Sequence, residues 1–230
     1  MKTIGLIGGM SWQSTVTYYQ LINEGIQKKL GGFHSAKLLL YSVDFEEIEK
    51  LQHQGKWDET GSILNKAAKN LEDGGADFLI LCTNTMHKLS NQIMDGLNIP
   101  LLHIADATGD SIKEIKIQNI GLLGTRFTME QDFYKKHLES KFSISTIIPE
   151  LIDRKFIHRV IYEELCNGII DTSSRNRFIE IISKLSKKGA EGVILGCTEI
   201  ALLVDHSHTS LPLFNTTKIH ARSAVNYALE

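Results

Sequence analysis

The chain repeats part of its own sequence, and this duplication limits the folds open to it more than any other feature. The three recurring segments are IGLIG (4–8) with IGLLG (120–124), GADFLILCTN (75–84) with GAEGVILGCT (189–198), and IPLLHI (99–104) with LPLFN (211–215). Their offsets of 116, 114 and 112 residues differ only slightly. We therefore expect two related halves of about 110 residues each, a usual size for a single core.

Each half shows the alternation of an α/β fold. Short apolar runs, typical of parallel strands buried on both faces, lie at 3–8, 37–43, 77–82, 100–104, 119–123, 143–148, 192–196 and 211–214. Amphipathic stretches at 13–30, 58–73, 174–188 and 216–229 predict helices. The buried face of the first helix is expected to include Val16, Tyr19, Leu21, Ile22, Ile26 and Leu30.

The predicted architecture is two pseudo-symmetric, doubly wound parallel-sheet halves with the active site between them. Residues 1–105 together with about 212–230 are expected to form the N-terminal half, and residues 106–211 the C-terminal half. The assignment of the last segment to the first half rests on the final helix, whose apolar face must pack somewhere.

Composition excludes several classes of function. A formal net charge of −2 gives no reason to expect nucleic acid or an anionic membrane as a partner. No apolar run approaches the ~18–20 residues that span a bilayer, and the N-terminal apolar stretch is too short for a secretory signal. Three cysteines without CxxC spacing indicate neither a disulfide framework nor a zinc site. We expect a cytoplasmic protein with reduced thiols and no metal.

The most informative chemical feature is a difference between the two repeats. Superimposing them places Thr83 opposite Cys197, each at the end of a predicted strand, where α/β proteins gather their functional groups. A thiol at a helix N-terminus is expected to have a lowered pKa and can act as a nucleophile or as a carbon-acid base. The alternative is a buried, inert cysteine, which is how Cys166 is interpreted.

Three other features leave alternatives open. The segment Gly5–Trp12 favours a carboxylate-sized anion at a helix start, since its GxxGG spacing fits a dinucleotide fingerprint poorly, and a plain tight turn is the alternative. Thr125, after the first strand of the second copy, could donate to a carboxylate or simply cap a helix. A nucleophilic Cys–His pair is a rival chemistry, with His87, His103 and His220 as the candidate histidines.

Several motifs together resemble those of the aspartate/glutamate racemase family. They are GLIGGM near the start, CTNTMH at 82–87 and GCTE at 196–199, and the stretches HSAKLLLYSVDF, LHIADATG and TMEQDFY resemble the enterobacterial L-aspartate/glutamate-specific or broad-specificity members. The resemblance implies an amino acid as substrate, no pyridoxal phosphate, metal or nucleotide cofactor, and a homodimer. It also implies two cysteines that flank the substrate α-carbon.

The chain departs from the family pattern at one catalytic position. The motif GCT carries the second family cysteine onto Cys197, whereas Thr83 stands where the first cysteine is expected. Cys82 lies one residue too early and is interpreted as the buried last residue of its strand. Because a threonine hydroxyl is far too weak an acid to serve as a comparable base, the resemblance implies an asymmetric racemase that prefers the L-enantiomer.

Removal of an α-proton also requires that the substrate carboxylate charge be offset. The expected donors, from backbone N–H groups and hydroxyls, are Met10, Ser11, Asn84, Thr85 and Thr198, with Thr125 as a further candidate. Relatives hold the substrate side chain with the loop after strand two, which here favours Gln52 over His53. The alternatives are a related isomerase, decarboxylase or hydantoin racemase that uses one cysteine, and a non-catalytic amino-acid-binding protein.

Overall fold

The computed structural model describes all residues 1–230 and divides into two compact units. The first consists of Met1–Ile104 with His220–Glu230, and the second of Ala105–Ile219. Each unit contains a four-stranded parallel sheet flanked by helices. None of the helices combines the length and the apolar character that crossing a bilayer requires.

The first unit follows the predicted βα alternation. Its strands are β1 (Ile4–Gly8), β2 (Leu38–Ser42), β3 (Phe78–Leu81) and β4 (Leu101–Leu102), hydrogen-bonded in the order β2-β1-β3-β4. Its helices are α1 (Trp12–Leu30), α2 (Phe45–His53), α3 (Trp57–Asp73) and α4 (Ser90–Ile93), with a 3-10 helix at Thr85–Leu89.

Both faces of the central strands β1 and β3 are buried, as the continuous apolar runs predict, whereas the edge strand β2 is only partly buried. Successive strand residues point to opposite faces. Ile4, Leu6, Phe78, Ile80 and Cys82 therefore join one apolar cluster, while Ile7, Leu79 and Leu81 join another. The first cluster also contains Ala221, Ala224 and Val225 of the C-terminal helix, so the prediction that this helix packs on the first half is confirmed.

The second unit repeats the topology of the first. Its strands are β5 (Asn119–Gly124), β6 (Ser145–Ile147), β7 (Gly192–Gly196) and β8 (Leu213–Asn215), in the order β6-β5-β7-β8. The remaining helices are α5 (Ile104–Glu114), α6 (Arg126–Glu130), α7 (Asp132–Phe142), α8 (Leu151–Glu163), α9 (Thr172–Lys187), α10 (Ile200–Leu203) and α11 (Thr216–Leu229), with a 3-10 helix at Leu165–Asn167. The corresponding strand orders confirm the duplicated α/β fold.

The division between the units near the C-terminus differs from the predicted one. The prediction placed about 212–230 in the first half, but β8 pairs with β7 in parallel and so belongs to the second sheet. The second unit accordingly extends to Ile219, and only the part of α11 from His220 onward belongs to the first.

The predicted buried face of α1 is wrong in part. Ile22 and Ile26 are buried, but Val16 and Tyr19 are each 55% exposed and Leu30 is also exposed. The buried residues of the first turns are Ser14, Thr15 and Tyr18. Ser14 and Thr15 bind backbone groups at the strand ends, so hydrogen bonding as well as apolar periodicity sets the rotation of this helix.

Candidate active site

The turn after β1 is held by hydrogen bonds to the start of α1. Gly9 has φ +94, and a Cβ there would lie 2.3 Å from the Val43 carbonyl oxygen, so only glycine fits. The Gly9 N–H donates to Thr15 Oγ1 at 2.8 Å, and Ser11 Oγ accepts from the Ser14 N–H as the N-cap of α1. The Gly9 amide is thus committed inside the fold, while Ser11 and the buried Met10 lie at the start of a long helix.

The turn after β3 carries the first catalytic candidate. Thr83 is half-buried, Asn84 and Thr85 are buried, and the Thr83 N–H donates to the Leu81 carbonyl at 2.8 Å. Cys82 is fully buried in the apolar cluster that includes α1, and burial raises its pKa far above the ordinary thiol value. The interpretation of Cys82 as a core residue is confirmed.

His87 holds this turn in place. Its Nδ1–H donates to the Thr83 carbonyl at 2.8 Å, and its Nε2 accepts from the Ile104 N–H at 3.2 Å. Burial, followed by the neighbouring His103 and His220, lowers the pKa of His87 well below its usual range. His87 is therefore a neutral imidazole with both ring nitrogens engaged.

His220 is committed in the same way. Its ring lies between the Tyr18 hydroxyl and the Leu102 carbonyl, each at 2.9 Å, and burial lowers its pKa to about 4. The rival Cys–His pair gains no support from these contacts, because His87 and His220 are bound within the first unit and the acceptor for Cys197 is a carboxylate.

Gln52, predicted in the loop after β2, lies on helix α2 and is buried. It is 4% exposed, its Nε2 makes only a long contact of 3.8 Å with Met86 Sδ, and its Oε1 has no hydrogen-bond partner. His53, by contrast, is exposed and its Nε2 lies 3.0 Å from Glu49. An unsatisfied buried amide is costly to a folded protein, and a contact between Gln52 and the substrate stays a prediction.

The second catalytic candidate follows β7 directly. Cys197 is half-buried, and its Sγ donates to Glu199 Oε2 at 2.9 Å. The Thr198 hydroxyl donates to the same oxygen at 2.5 Å, and Glu199 itself is 4% exposed. One buried carboxylate oxygen therefore receives both the thiol and the hydroxyl proton, so the Thr198 side chain is committed to Glu199.

The expectation of a lowered Cys197 pKa is wrong. Burial, and next the charge of Glu199, raise the pKa of Cys197 well above the ordinary thiol value. Cys197 also precedes the N-cap of α10 by two residues, and α10 is a single turn of four residues, so little helix dipole acts on the sulfur. The resting residue is a thiol.

Thr125 caps a helix. Its Oγ1 accepts from the Thr128 N–H at 3.3 Å at the start of α6, and the residue is 7% exposed. The helix-capping interpretation is confirmed, and a contact with a substrate carboxylate stays a prediction.

Comparison with known proteins identifies the family. The sequence profile of the Asp/Glu/hydantoin racemase family matches residues 7–224. The chain belongs to this family. A crystal structure of a candidate Asp/Glu racemase from Yersinia pestis is 52% identical, with complete coverage of both chains and a TM-score of 0.94. An aspartate racemase homologue from Pyrococcus horikoshii is 33% identical, again with complete coverage of both, at a TM-score of 0.87.

A broad-specificity amino-acid racemase, RacX of Bacillus subtilis, is 24% identical over 97% of this chain and 96% of its own length. Membership of the Asp/Glu racemase family makes the chain an amino-acid racemase, and hence an isomerase. Membership of this family also explains why the strands of the two sheets follow corresponding orders.

The fold distributes the predicted site residues of this racemase over two strand-end edges. The first unit carries Met10, Ser11, Gln52, Thr83, Asn84 and Thr85, and the second carries Thr125, Cys197 and Thr198. Met86 belongs to the same apolar cluster as Met10 and contacts Gln52, which draws the first group together. Sequence reasoning missed Glu199, although its signal, an acid two residues after the cysteine, is visible in GCTE.

Proposed function

We propose that this chain is a cofactor-independent racemase of L-aspartate or L-glutamate that removes the α-proton with Cys197 and returns a proton from the Thr83 side. The observation that carries the proposal is the asymmetry of two corresponding strand ends, a thiol with an adjacent proton acceptor after β7 and a hydroxyl after β3. The substrate class is supported by the relatives from Yersinia pestis and Pyrococcus horikoshii, which are described as Asp/Glu and aspartate racemase types.

The role of Cys197 follows from thiol chemistry. A thiolate takes the α-proton, the C–H bond breaks as an S–H bond forms, and the electron pair stays on the α-carbon and its carboxylate as an enolate. A serine hydroxyl at this position would be too weakly acidic to supply a comparable anion, so the choice of cysteine is functional.

Thr83 is suited to protonating the substrate α-carbon and unsuited to removing a proton from it. Its hydroxyl can donate a proton to the enolate and recover one from water, whereas the alkoxide needed to abstract an α-proton is not accessible near neutral pH. His87 fixes the backbone of this residue through the Thr83 carbonyl. The site therefore deprotonates the L-enantiomer, which presents its α-proton to Cys197, and uses the D-enantiomer poorly.

Gln52 is proposed as the anchor for the substrate side chain. Its amide needs a ligand, and the two ends of an amide are interchanged by a half-turn about the last side-chain bond. After that turn Nε2 can donate to the distal carboxylate of aspartate or glutamate. Backbone N–H groups and hydroxyls of Met10, Ser11, Asn84, Thr85 and Thr125, together with the backbone N–H of Thr198, are the proposed contacts for the α-carboxylate.

Solvent deuterium exchange at Cα, measured separately for L- and D-aspartate, tests the assignment of roles. We expect fast exchange of the L-enantiomer only, a loss of about 10²–10⁴-fold in Cys197→Ser, and preserved L-exchange without inversion in Thr83→Ala. Thr83→Cys should introduce exchange of D-aspartate, and Cys166→Ser is the matched thiol control. Equal exchange of both enantiomers in the unaltered protein would refute the one-sided mechanism.

The same assay distinguishes the other chemistries open to a one-cysteine relative. Malonate and hydantoin substrates are tested beside aspartate, and turnover of either in place of aspartate would contradict the proposed substrate class. Ligand-dependent thermal stabilisation without any α-exchange would indicate an amino-acid-binding protein.

We also propose a homodimer, as the family resemblance implies. Size-exclusion chromatography with light scattering gives the mass directly. A mass near that of the single 25.8 kDa chain would contradict it.

A further inference from the structure

The second sheet brings the start of helix α11 to the same edge as Cys197. Strands β7 and β8 pair in parallel with Leu195 opposite Asn215, so the positions two residues further on are Cys197 and Thr217. The Thr216 hydroxyl donates to the Leu195 carbonyl at 2.9 Å, which ties the first residue of α11 to the end of β7. Because the carboxyl ends of parallel strands meet at one edge, Thr217 lies on the side of the sheet that carries the proposed base.

The Thr217 side chain is a buried hydroxyl without a hydrogen-bond partner. The residue is 1% exposed, and its Oγ1 contacts neither a backbone carbonyl nor another polar side chain within hydrogen-bond distance. Its neighbours are committed, since Asn215 Oδ1 accepts from the Lys218 N–H at 3.1 Å and Thr216 bonds to β7. An unpaired buried hydroxyl is unfavourable in a folded protein, so its presence calls for a functional explanation.

The internal repeat shows that this hydroxyl belongs to one copy only. With the offset of 112 residues that relates IPLLHI to LPLFN, Thr217 corresponds to Ala105. The copy that contains Thr83 therefore has alanine at this position, and the copy that contains Cys197 has threonine. The additional hydroxyl accompanies the thiol, the group that is proposed to remove the α-proton.

The start of α11 favours a negatively charged ligand group. This helix extends over 14 residues, and its first turn contains no acidic residue. The N–H groups at the start of a helix carry partial positive charge, and Thr217, the second residue of α11, adds a hydroxyl donor to them. A carboxylate oxygen matches both features, whereas the helix would repel an ammonium group.

We infer that Thr217 is a catalytic residue whose hydroxyl donates to the substrate α-carboxylate while Cys197 removes the α-proton. The inference rests on the proposed function, because it adds a contact to the same substrate. When the Cα–H bond breaks, its electron pair moves onto the carboxylate and increases the negative charge on the oxygens. A hydrogen bond to that charge strengthens in the transition state, and the hydroxyl keeps its own proton throughout.

The burial of Thr217 is comparable to that of the substrate contacts already proposed. Those residues are each at most 7% exposed in the protein without ligand: Met10, Ser11, Gln52, Asn84, Thr85 and Thr125. Low exposure therefore does not set Thr217 apart from them.

The first test is the substitution Thr217→Val, which keeps the branched shape and removes the hydroxyl. For L-aspartate, kcat/KM should fall about 10- to 150-fold, with the larger part of the loss in kcat because the bond strengthens in the transition state. Thr217→Ser keeps the hydroxyl and should restore most of the activity. Thr217→Ala is the second variant if valine prevents folding, and it should show the same loss. Unchanged kcat/KM in either variant that lacks the hydroxyl would overturn the inference.

Thermal unfolding without substrate separates a catalytic role of Thr217 from a structural one. Thr217→Val removes an unsatisfied hydroxyl, so Tm should stay the same or rise. The matched control is Thr60→Val, at a fully buried residue of α3 whose hydroxyl donates to the Lys56 carbonyl at 3.1 Å. This control should lower Tm and leave kcat/KM unchanged. A lower Tm together with lost activity in Thr217→Val would show a structural residue and contradict the inference.

The second test measures binding and does not depend on racemisation. In the Cys197→Ser background, isothermal titration calorimetry with L-aspartate should show a Kd that rises several-fold when Thr217→Val is added. Binding that depends on Thr217, in a protein whose unaltered form exchanges no α-proton, would support the contact and refute the proposed function. Racemisation with Kd and kcat/KM unchanged in Thr217→Val would refute the contact and leave the function standing. Absence of any L-aspartate binding would refute both.

Discussion

Gln52 provides the sharpest test of the proposed substrate site, because the same substitution should stabilise the protein and impair catalysis. In the protein without ligand its Oε1 is buried without a partner, and its Nε2 has only the 3.8 Å sulfur contact. Methionine has a similar length and volume and carries no amide. Gln52→Met therefore removes an unsatisfied polar group without leaving a cavity.

The gain in stability follows from the desolvation of that amide. A buried, unsatisfied carbonyl costs about 1–3 kcal/mol, and the substitution should raise the free energy of unfolding by that amount. In a chain of this size each kcal/mol raises Tm by about 2–4 °C. Differential scanning calorimetry of the two proteins without substrate measures the shift directly.

The loss in catalysis follows from the hydrogen bond that Gln52 is proposed to make to a charged substrate group. Such bonds contribute about 1.5–3 kcal/mol, so kcat/KM for L-aspartate should fall about 10- to 150-fold. The exposed Gln118→Met should change neither stability nor kcat/KM by a comparable amount. A Gln52→Met protein that melts at a lower temperature and keeps its kcat/KM would refute the reasoning, because Gln52 would then be a structural residue.

Three further predictions concern stability, each measured by urea denaturation. Burial lowers the pKa of His220 to about 4. The free energy of unfolding should therefore keep its full value above pH ~6.5 and fall by up to roughly 3 kcal/mol as the pH decreases toward 4. His220→Gln should lack this part of the pH dependence. Gly9→Ala should cost more than Gly189→Ala, whose φ of +96 implies strain of about 1–2 kcal/mol but whose Cβ would meet nothing within 4 Å. Asp153→Asn, at a residue 1% exposed, should cost about 1.5–3 kcal/mol because it loses charge-assisted hydrogen bonds to Arg177 and Lys184, whereas the exposed Asp132→Asn should cost at most about 1 kcal/mol.

The strands were predictable because the signals that define them are local. Runs such as IGLIG and GVILG are apolar at every position, as strands buried on both faces require, and all eight predicted strands are present. The repeat also made the correspondence between the two strand ends predictable, since it aligned Thr83 with Cys197 and placed Cys82 one residue before that position. The apolar cluster that Cys82 joins follows from the alternation of side chains that continues from β3.

Features that depend on distant partners were not predictable in this way. The rotation of α1 depends on Ser14, whose hydroxyl binds the Cys82 carbonyl 68 residues away. His220 is kept neutral by burial and bonded to Tyr18, 202 residues distant in the chain. Apolar periodicity reports on the side chains of one helix and carries no information about such contacts.

The amino-acid sequence by itself determined the duplicated α/β architecture and the contrast between a thiol and a hydroxyl at corresponding strand ends, because both depend on the order of residues along the chain. Only the tertiary structure decided the state of those groups. It surrounded the Cys197 sulfur with protein, directed the thiol at the Glu199 carboxylate and left the Gln52 amide unsatisfied. The raised pKa of Cys197 and the unpaired amide of Gln52 depend on burial and hydrogen-bond geometry, which arise only when distant segments pack together.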